Sequence, residues 1–274
     1  MSATYLTMQK ATIKQKILQK HHEKHTIFNM KSRCAYRYIL ISFSIITACA
    51  LADEIQPTAV ASKDKYLVEL RTALQLKWPK NHAVKIVCHG HSVPAGYFKT
   101  PLVQTFDAYP MLLHKSLTER FPNAVINVTV TAIGGENSVT GEKRFEKDVL
   151  SLKPDVITID YALNDRRIGL PAAKTAWKSM IDKAQAANIK VILLTPTPDQ
   201  AAKLDDPNDP LNQHADQIRE LAKEHSVALC DSLAQFKQFI KDGGKLEDAM
   251  SQGNHPNRKG HELVTQALLE WFEK

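Results

Sequence analysis

Four short segments of the chain carry residues with which an enzyme could transfer an acyl group. They are Gly90-His91-Ser92, Gly134-Gly135, Leu163-Asn164-Asp165 and His255-Pro256-Asn257. A serine hydroxyl can attack a carbonyl carbon once a histidine takes its proton. Backbone N–H groups of a glycine turn and an asparagine amide can then stabilise the oxyanion. These residue types predict acyl transfer, provided that the fold brings the four segments together.

Each of these residues also has an ordinary structural role. Ser92 could cap a helix or lie in a turn, Gly134-Gly135 could form a tight turn, and Asn164-Asp165 could cap the next helix. A turn that donates N–H groups to an oxyanion is still a turn, so the two interpretations of the glycines are compatible. We favour the chemical interpretation because all four segments occur in one chain.

Neighbours of these segments are candidates for substrate contact. His89 and His91 lie close to Ser92 and could line its pocket. Arg166-Arg167 is either a solvated pair or a grip for a carboxylate or sulfate of the substrate. A metal held by His89, His91 and His255 is disfavoured, since no His-x-x-x-His motif and no carboxylate cluster accompanies them. We expect no metal and no cofactor. The predicted substrate-binding residues are His91, Gly134, Tyr161, Arg166 and Arg167.

The elements that must position these residues alternate between strands and helices. Runs rich in Val and Ile occupy residues 84–88, 124–130, 156–160, 191–195 and 227–230. Their near-continuous hydrophobicity is typical of strands covered on both faces. Helical spacing between them, as in Ala173, Trp177, Met180, Ile181 and Ala184, predicts crossover helices. The pattern indicates one open parallel α/β sheet, in which functional residues gather at the carboxyl ends of the strands.

In chain order the four segments resemble the blocks of the SGNH (GDSL) hydrolases, and the resemblance spans residues 84–272. It implies a flavodoxin-like three-layer α/β/α sandwich with a five-stranded parallel sheet in the order 2-1-3-4-5. It also implies that Ser92 is the nucleophile and His255 the general base. The implied oxyanion donors are the N–H groups of Ser92 and Gly135 and the amide of Asn164.

The chain departs from the family pattern at three positions. His91 replaces the Asp of the first block, and Ala162 replaces the Gly of the third. The third departure bears on catalysis, because the family places an Asp three residues before the catalytic His and this chain has Gln252 there. The histidine could be oriented by Gln252 or a backbone carbonyl, a carboxylate such as Asp248 could replace the missing one, or activity could be lost.

The first 52 residues have the order of an export signal. Basic residues up to Arg37 precede a short apolar stretch and Ala50-Leu51-Ala52, and Met30 is a possible true start. The apolar stretch, at about 11 residues, is half of the ~20 that a membrane span needs, so we expect no span. Ile46-Thr47-Ala48-Cys49 also resembles a lipobox, so lipidation of Cys49 is the alternative to cleavage after Ala52. A tether over residues 53–62 and one hydrolase domain over 63–274 complete the predicted organisation.

Charge and cysteine content limit the partners and the disulfides that can be expected. The formal net charge is +7, but residues 1–37 carry all of it, so residues 38–274 sum to zero and nucleic acid is not an expected partner. Cys88 and Cys230 are the cysteines left in the domain, and they are predicted to be buried thiols.

Taken together, the sequence predicts a periplasmic or secreted serine esterase, with a lipid-anchored form as the alternative. Its expected substrate is a small-molecule or polysaccharide ester, and the preferred one is an O-acetyl group on a carbohydrate. A lysophospholipase or thioesterase of the same family is the second interpretation. A catalytically inactive carbohydrate-binding protein on the same fold is the third.

Overall fold

A computed structural model describes residues 59–273. The predicted export signal, Cys49 and most of the predicted tether lie outside the described residues. Residues 59–62, the end of that tether, contact the domain, since the Ala61 N–H donates to the Val227 carbonyl at 3.2 Å and Val60 packs against the core.

Five parallel strands form the main sheet. They are β1 (Ala83–Gly90), β2 (Val125–Val130), β3 (Val156–Asp160), β4 (Lys190–Leu194) and β5 (Ala228–Cys230). Their order is β2-β1-β3-β4-β5, as the family resemblance implied. Each strand lies within a few residues of the Val- and Ile-rich run that predicted it.

The expectation that all five strands are covered on both faces is wrong for β2. Every residue of β3 is buried, whereas Val125, Asn127 and Thr129 of β2 are exposed. The reason is position, because β2 forms one edge of the sheet and only one of its faces packs on a helix. Alternating burial is typical of such a strand.

Helices lie on both faces of the sheet. The α-helices are α1 (Lys63–Tyr66), α2 (Val68–Leu74), α3 (Ser92–Ala95), α4 (Tyr109–Arg120), α5 (Ser138–Asp148), α6 (Ala162–Asp165), α7 (Leu170–Ala186), α8 (Pro210–Glu224), α9 (Ser232–Lys241) and α10 (Arg258–Leu269). Short 3-10 helices occur at Thr105–Asp107, Leu150–Leu152 and Leu246–Ala249. No helix among residues 59–273 is long and apolar enough to cross a membrane.

Two apolar cores result, one on each face. On one side Ile86 and Cys88 of β1 pack with Leu113 of α4 and Val264 of α10. On the other side Val87 belongs to a cluster with the side chains of α5 and α7. The predicted buried stripe of α7 is confirmed: Ala173, Trp177, Met180, Ile181 and Ala184 are all buried. Burial of one large apolar side chain contributes roughly 1.5–3 kcal/mol, so these stripes fix the helices on the sheet.

A small antiparallel hairpin, β6 (Met250–Gln252) and β7 (His255–Pro256), precedes α10. It carries both His255 and Gln252, and the sequence runs did not predict it. The hairpin lies at the carboxyl ends of the strands, where the loops after β1, β2 and β3 also meet.

Candidate active site

Ser92 is the first residue of α3, directly after β1. His91 caps this helix, and its Nδ1 accepts the Val93 N–H at 3.1 Å. Gly90 allows the close turn, because a Cβ at this position would lie 2.5 Å from the carbonyl oxygen of Asp160. The sharp turn therefore places the Ser92 hydroxyl at the edge of the sheet, where the side chain is 7% exposed.

His255 faces Ser92 across the site. The hairpin places its Nε2 2.9 Å from Ser92 Oγ, which is hydrogen-bond distance. Asn257, two residues later, caps α10 by accepting the Gly260 N–H at 3.2 Å. The start of α10 and the short hairpin thus hold the imidazole from both sides.

Neutral groups surround the other ring nitrogen of His255. Its Nδ1 lies 2.8 Å from Gln252 Nε2 and 3.2 Å from the Phe98 carbonyl oxygen. Among the described residues no carboxylate lies within hydrogen-bond distance of Nδ1. Burial lowers the pKa of His255 below its ordinary value; the Phe98 carbonyl opposes this effect, and nearby His91 adds to it.

The second and third blocks meet at Asn164. Its Nδ2 donates one hydrogen to the Glu136 carbonyl at 2.8 Å, which leaves its second hydrogen for another acceptor. Gly135, next to Glu136, has a φ of +82°, a conformation that favours glycine. Within residues 59–273, the backbone N–H groups of Gly135 and Ser92 donate to no protein acceptor. Three N–H donors are therefore free to stabilise an anion.

An ion pair holds the loop that contains Gly135. Arg144 of α5 donates to both carboxylate oxygens of Glu136, with Nε at 3.1 and 2.9 Å and Nη2 at 2.6 Å. Arg144 Nη2 also donates to the Tyr161 hydroxyl at 3.1 Å. That hydroxyl lies 3.1 Å from His89 Nε2. The network ties the loop after β2 to α5 and to the residue that follows β3.

Hydrogen bonds between backbone groups join the blocks. The Ile133 N–H donates to the Gly90 carbonyl at 3.0 Å, and the His91 N–H donates to the Asp160 carbonyl at 3.2 Å. Asp165 accepts the Ser138 N–H at 2.8 Å and the Trp177 Nε1–H at 2.6 Å. All four predicted segments thus lie at the carboxyl ends of the strands of one sheet.

Two predicted substrate-binding residues, His91 and Tyr161, are buried and face inward. His91 is 1% exposed, with its Nδ1 used in the helix cap and its Nε2 3.4 Å from Asp160 Oδ1. Tyr161 is fully buried against Gly141, where a Cβ would lie 2.3 Å from the tyrosine ring. The side chain of the first residue after a strand can point into the core as well as toward the substrate. The side chains of His91 and Tyr161 point into the core. His89 is also inside, where burial lowers its pKa to about 4.

The other predicted contacts divide between the surface and the site. Gly134 lies beneath the ring of Tyr97, which is itself 5.9 Å from the His255 ring. Arg166 is paired with Asp199 at 2.7 Å, so its charge is already matched, while Arg167 is exposed. Asp248 is exposed, and it approaches the hairpin only through its carbonyl, which accepts from Asn257 Nδ2 at 2.9 Å. Its carboxylate does not replace the missing one.

The sequence predicted a backbone carbonyl as one possible partner of His255 but not which one, and it did not predict Thr100, Glu136 or Arg144. The Phe98 carbonyl contacts His255, and Thr100 contacts Gln252, from a loop more than 150 positions away, and a backbone oxygen has no signature in the sequence. Glu136 follows Gly135 directly and could have been considered with it. Arg144 is eight positions further on, a spacing that suggests no pair.

A serine and a histidine in hydrogen-bond contact at the carboxyl ends of the strands of a β2-β1-β3-β4-β5 sheet are the arrangement expected for an SGNH hydrolase. Residues 88–263 match the GDSL-like lipase/acylhydrolase family. The chain therefore belongs to this family and is a carboxylic ester hydrolase. The predicted family and fold are both confirmed.

Known relatives include two bacterial acetylxylan esterases. The enzyme of Geobacillus stearothermophilus is 24% identical over 161 residues, which cover 54% of this chain and 73% of the relative. The enzyme of Xylanibacter ruminicola is 26% identical over 222 residues, 69% of this chain and 43% of the relative. A crystal structure of an acetylxylan esterase from Geobacillus stearothermophilus superposes with a TM-score of 0.62 at 20% identity, covering 70% of this chain and 94% of that one. At this identity the superposition speaks for the fold alone.

Proposed function

We propose that the chain is an exported serine esterase that removes O-acetyl groups from a carbohydrate through a Ser92–His255 acyl-enzyme mechanism. The observation that carries the proposal is the 2.9 Å contact between Ser92 Oγ and His255 Nε2. A nucleophile and a base within hydrogen-bond reach are the minimal apparatus for this chemistry.

In the first half-reaction Ser92 Oγ attacks the ester carbonyl carbon while its proton passes to His255 Nε2. The negative charge that develops on the carbonyl oxygen is stabilised by the N–H groups of Ser92 and Gly135 and by the free hydrogen of Asn164 Nδ2. When the intermediate collapses, the C–O bond to the sugar breaks and His255 returns the proton to the leaving alcohol. Water then hydrolyses the acyl-enzyme with His255 as base, releasing acetate and restoring Ser92.

Two observations support a small acyl group on a sugar. The Tyr97 ring packs on Gly134 and its centroid lies 5.9 Å from that of the His255 ring, so a bulky side chain adjoins the base. The relatives in two bacterial genera are acetylxylan esterases. Export rests on the order of basic, apolar and small residues in the first 52 positions.

The test is hydrolysis of p-nitrophenyl acetate, longer-chain p-nitrophenyl esters and acetylated xylan by a protein that begins after Ala52. We expect the acetyl ester to be preferred and Ser92→Ala to lower kcat by at least about 10³-fold. Ser179→Ala is the matched control: Ser179 lies on α7, where its hydroxyl donates to Glu142 of α5 at 2.8 Å, it belongs to none of the four segments, and the variant should keep full activity. Preference for long acyl chains would favour a lysophospholipase or thioesterase. Sugar binding without hydrolysis would favour the inactive binding protein, and full activity of Ser92→Ala would refute the nucleophile.

A further inference from the structure

The groups around His255 Nδ1 cannot all be satisfied at once. Two of its neighbours are Gln252 Nε2, which can only donate, and the Phe98 carbonyl oxygen, which can only accept. A neutral imidazole carries its hydrogen on one nitrogen only. Nδ1 therefore either accepts from Gln252 or donates to Phe98, and the two arrangements belong to different tautomers.

Thr100 fixes which end of the Gln252 amide faces the histidine. The Thr100 backbone N–H, which can only donate, lies 3.0 Å from Gln252 Oε1, and Gln252 Nε2 donates to Thr100 Oγ1 at 3.2 Å. Rotating the amide would place its NH₂ group against the Thr100 N–H. The side chain therefore presents its NH₂ group to Nδ1 at 2.8 Å, and Nδ1 accepts.

This arrangement opposes catalysis. If Nδ1 accepts, the hydrogen is on Nε2, which then donates to Ser92 Oγ instead of receiving its proton. In the productive tautomer Nδ1–H donates to the Phe98 carbonyl at 3.2 Å, and Nε2 is free to act as base. Phe98 also accepts from Ser251 Oγ at 2.9 Å, and a carbonyl oxygen has lone pairs for both.

We propose that Gln252, held by Thr100, keeps resting His255 in the non-productive tautomer, and that the Phe98 carbonyl is the acceptor that positions it for catalysis. Gln252 is thus a positioning residue with a restraining effect, where a carboxylate would have an activating one. Conversion between the tautomers moves one proton from Nε2 to solvent and one from solvent to Nδ1, so the ring stays neutral. The inference rests on the proposed function only in assigning His255 as the base.

Two substitutions of nearly the same shape separate this role from an activating one. Gln252→Met removes the donor and leaves Nδ1–H free for Phe98, so kcat should rise about fivefold, the scale of one neutral hydrogen bond. Gln252→Glu replaces the donor by a charged acceptor that can also keep the Thr100 N–H, so kcat should rise about tenfold or more. If Gln252 instead orients the ring for catalysis, Gln252→Met must lower kcat.

The tautomer itself is measured by ¹⁵N NMR of the histidine side chains, with the His255 signals assigned by their loss in His255→Asn. At about pH 8, where imidazole is neutral, the unsubstituted protein should carry the His255 hydrogen on Nε2. Gln252→Met and Gln252→Glu should carry it on Nδ1. Melting temperatures check the fold, and Gln252→Ala replaces Gln252→Met if that variant does not fold. Hydrogen on Nδ1 in the original protein, an unchanged tautomer in the variants, or a lower kcat in Gln252→Met would each overturn the proposal. Activity of Ser92→Ala would instead refute the proposed function, which the NMR result does not test.

Discussion

His255 combines burial with an entirely neutral second partner. The side chain is 5% exposed, and removing it from water disfavours its charged form. A carboxylate at Nδ1 would compensate for this cost when the imidazolium forms in the transition state. The Phe98 carbonyl compensates only in part, so the pKa of His255 stays below its ordinary value.

This environment leads to a prediction about pH. Burial lowers the pKa of His255, and the neutral form is the base. The active form should therefore persist to more acidic pH than it would with a histidine of ordinary pKa. We expect kcat/KM to fall as the pH drops through a midpoint below about 6.5, the ordinary histidine value. The pH profile of p-nitrophenyl acetate hydrolysis measures that midpoint. A midpoint above 6.5 in the original protein would mean that an anion stabilises the imidazolium after all, while Gln252→Glu should raise it.

The oxyanion donors depend on contacts between loops and a helix. Gly135 lies in a loop after the exposed edge strand β2, which by itself would hold it weakly. The ion pair between Glu136 and Arg144 links this loop to α5, and both side chains are mostly buried, at 17% and 15% exposure. A pair shielded in this way is screened less by salt than a surface pair. Helix α5 therefore positions a donor that it does not itself carry.

We predict that Arg144→Met lowers kcat for p-nitrophenyl acetate about tenfold with little change in KM. Loss of a whole oxyanion donor costs about 10²–10³ in kcat, and loosening the loop should cost part of that. The matched control is Arg219→Met. Arg219 is a partly buried arginine on α8 that pairs with Asp231 at 2.8 Å. Equal losses of kcat in the two variants, or a kcat within about twofold of the original in Arg144→Met, would show that the pair does not position the site.

The sequence predicted strands better than orientations. Runs such as 156–160 end where β3 ends because a buried strand needs consecutive apolar residues and the functional loop does not. The family blocks likewise located Ser92, Asn164 and His255, whose side chains carry the chemistry. His91 and Tyr161 were expected in the pocket, but the direction of a side chain after a strand depends on what packs beneath it. Here His91 Nδ1 accepts the Val93 N–H, and the Tyr161 ring packs on Gly141. No residue pattern around His91 or Tyr161 indicates these contacts.

Contacts distant in sequence were beyond reach for a related reason. The Phe98 carbonyl approaches His255 because the loop from Tyr97 to Asp107 folds back along the hairpin, with a bridge between Tyr97 and Val103. The geometry of that loop, rather than its composition, provides the acceptor. A substituted position such as Gln252 could be recognised in the sequence, but its consequence required knowing that Thr100 binds the other end of its amide.

The order of strands in the sheet separates the two cysteines of the domain. Cys88 lies on β1 and Cys230 on β5, with β3 and β4 between them. Strands are spaced by about 4.8 Å, so the two Cα atoms are well beyond the ~7 Å limit for a disulfide. Both are buried free thiols, and each lies inside the same apolar core as α10. Reaching either one requires opening the core.

We therefore predict that a protein beginning after Ala52 shows no rapidly reacting thiol when native and two when denatured without reductant. Burial raises the pKa of the Cys88 thiol to about 12 and raises that of Cys230, so neither forms the reactive thiolate near neutral pH. Titration with a chromogenic disulfide reagent gives both counts. Because each thiol becomes accessible only when the core opens, the two should react in native buffer at one common slow rate. A denatured count of zero would contradict the strand order, and rapid reaction of one thiol in the native protein would contradict the packing of α10 on the sheet.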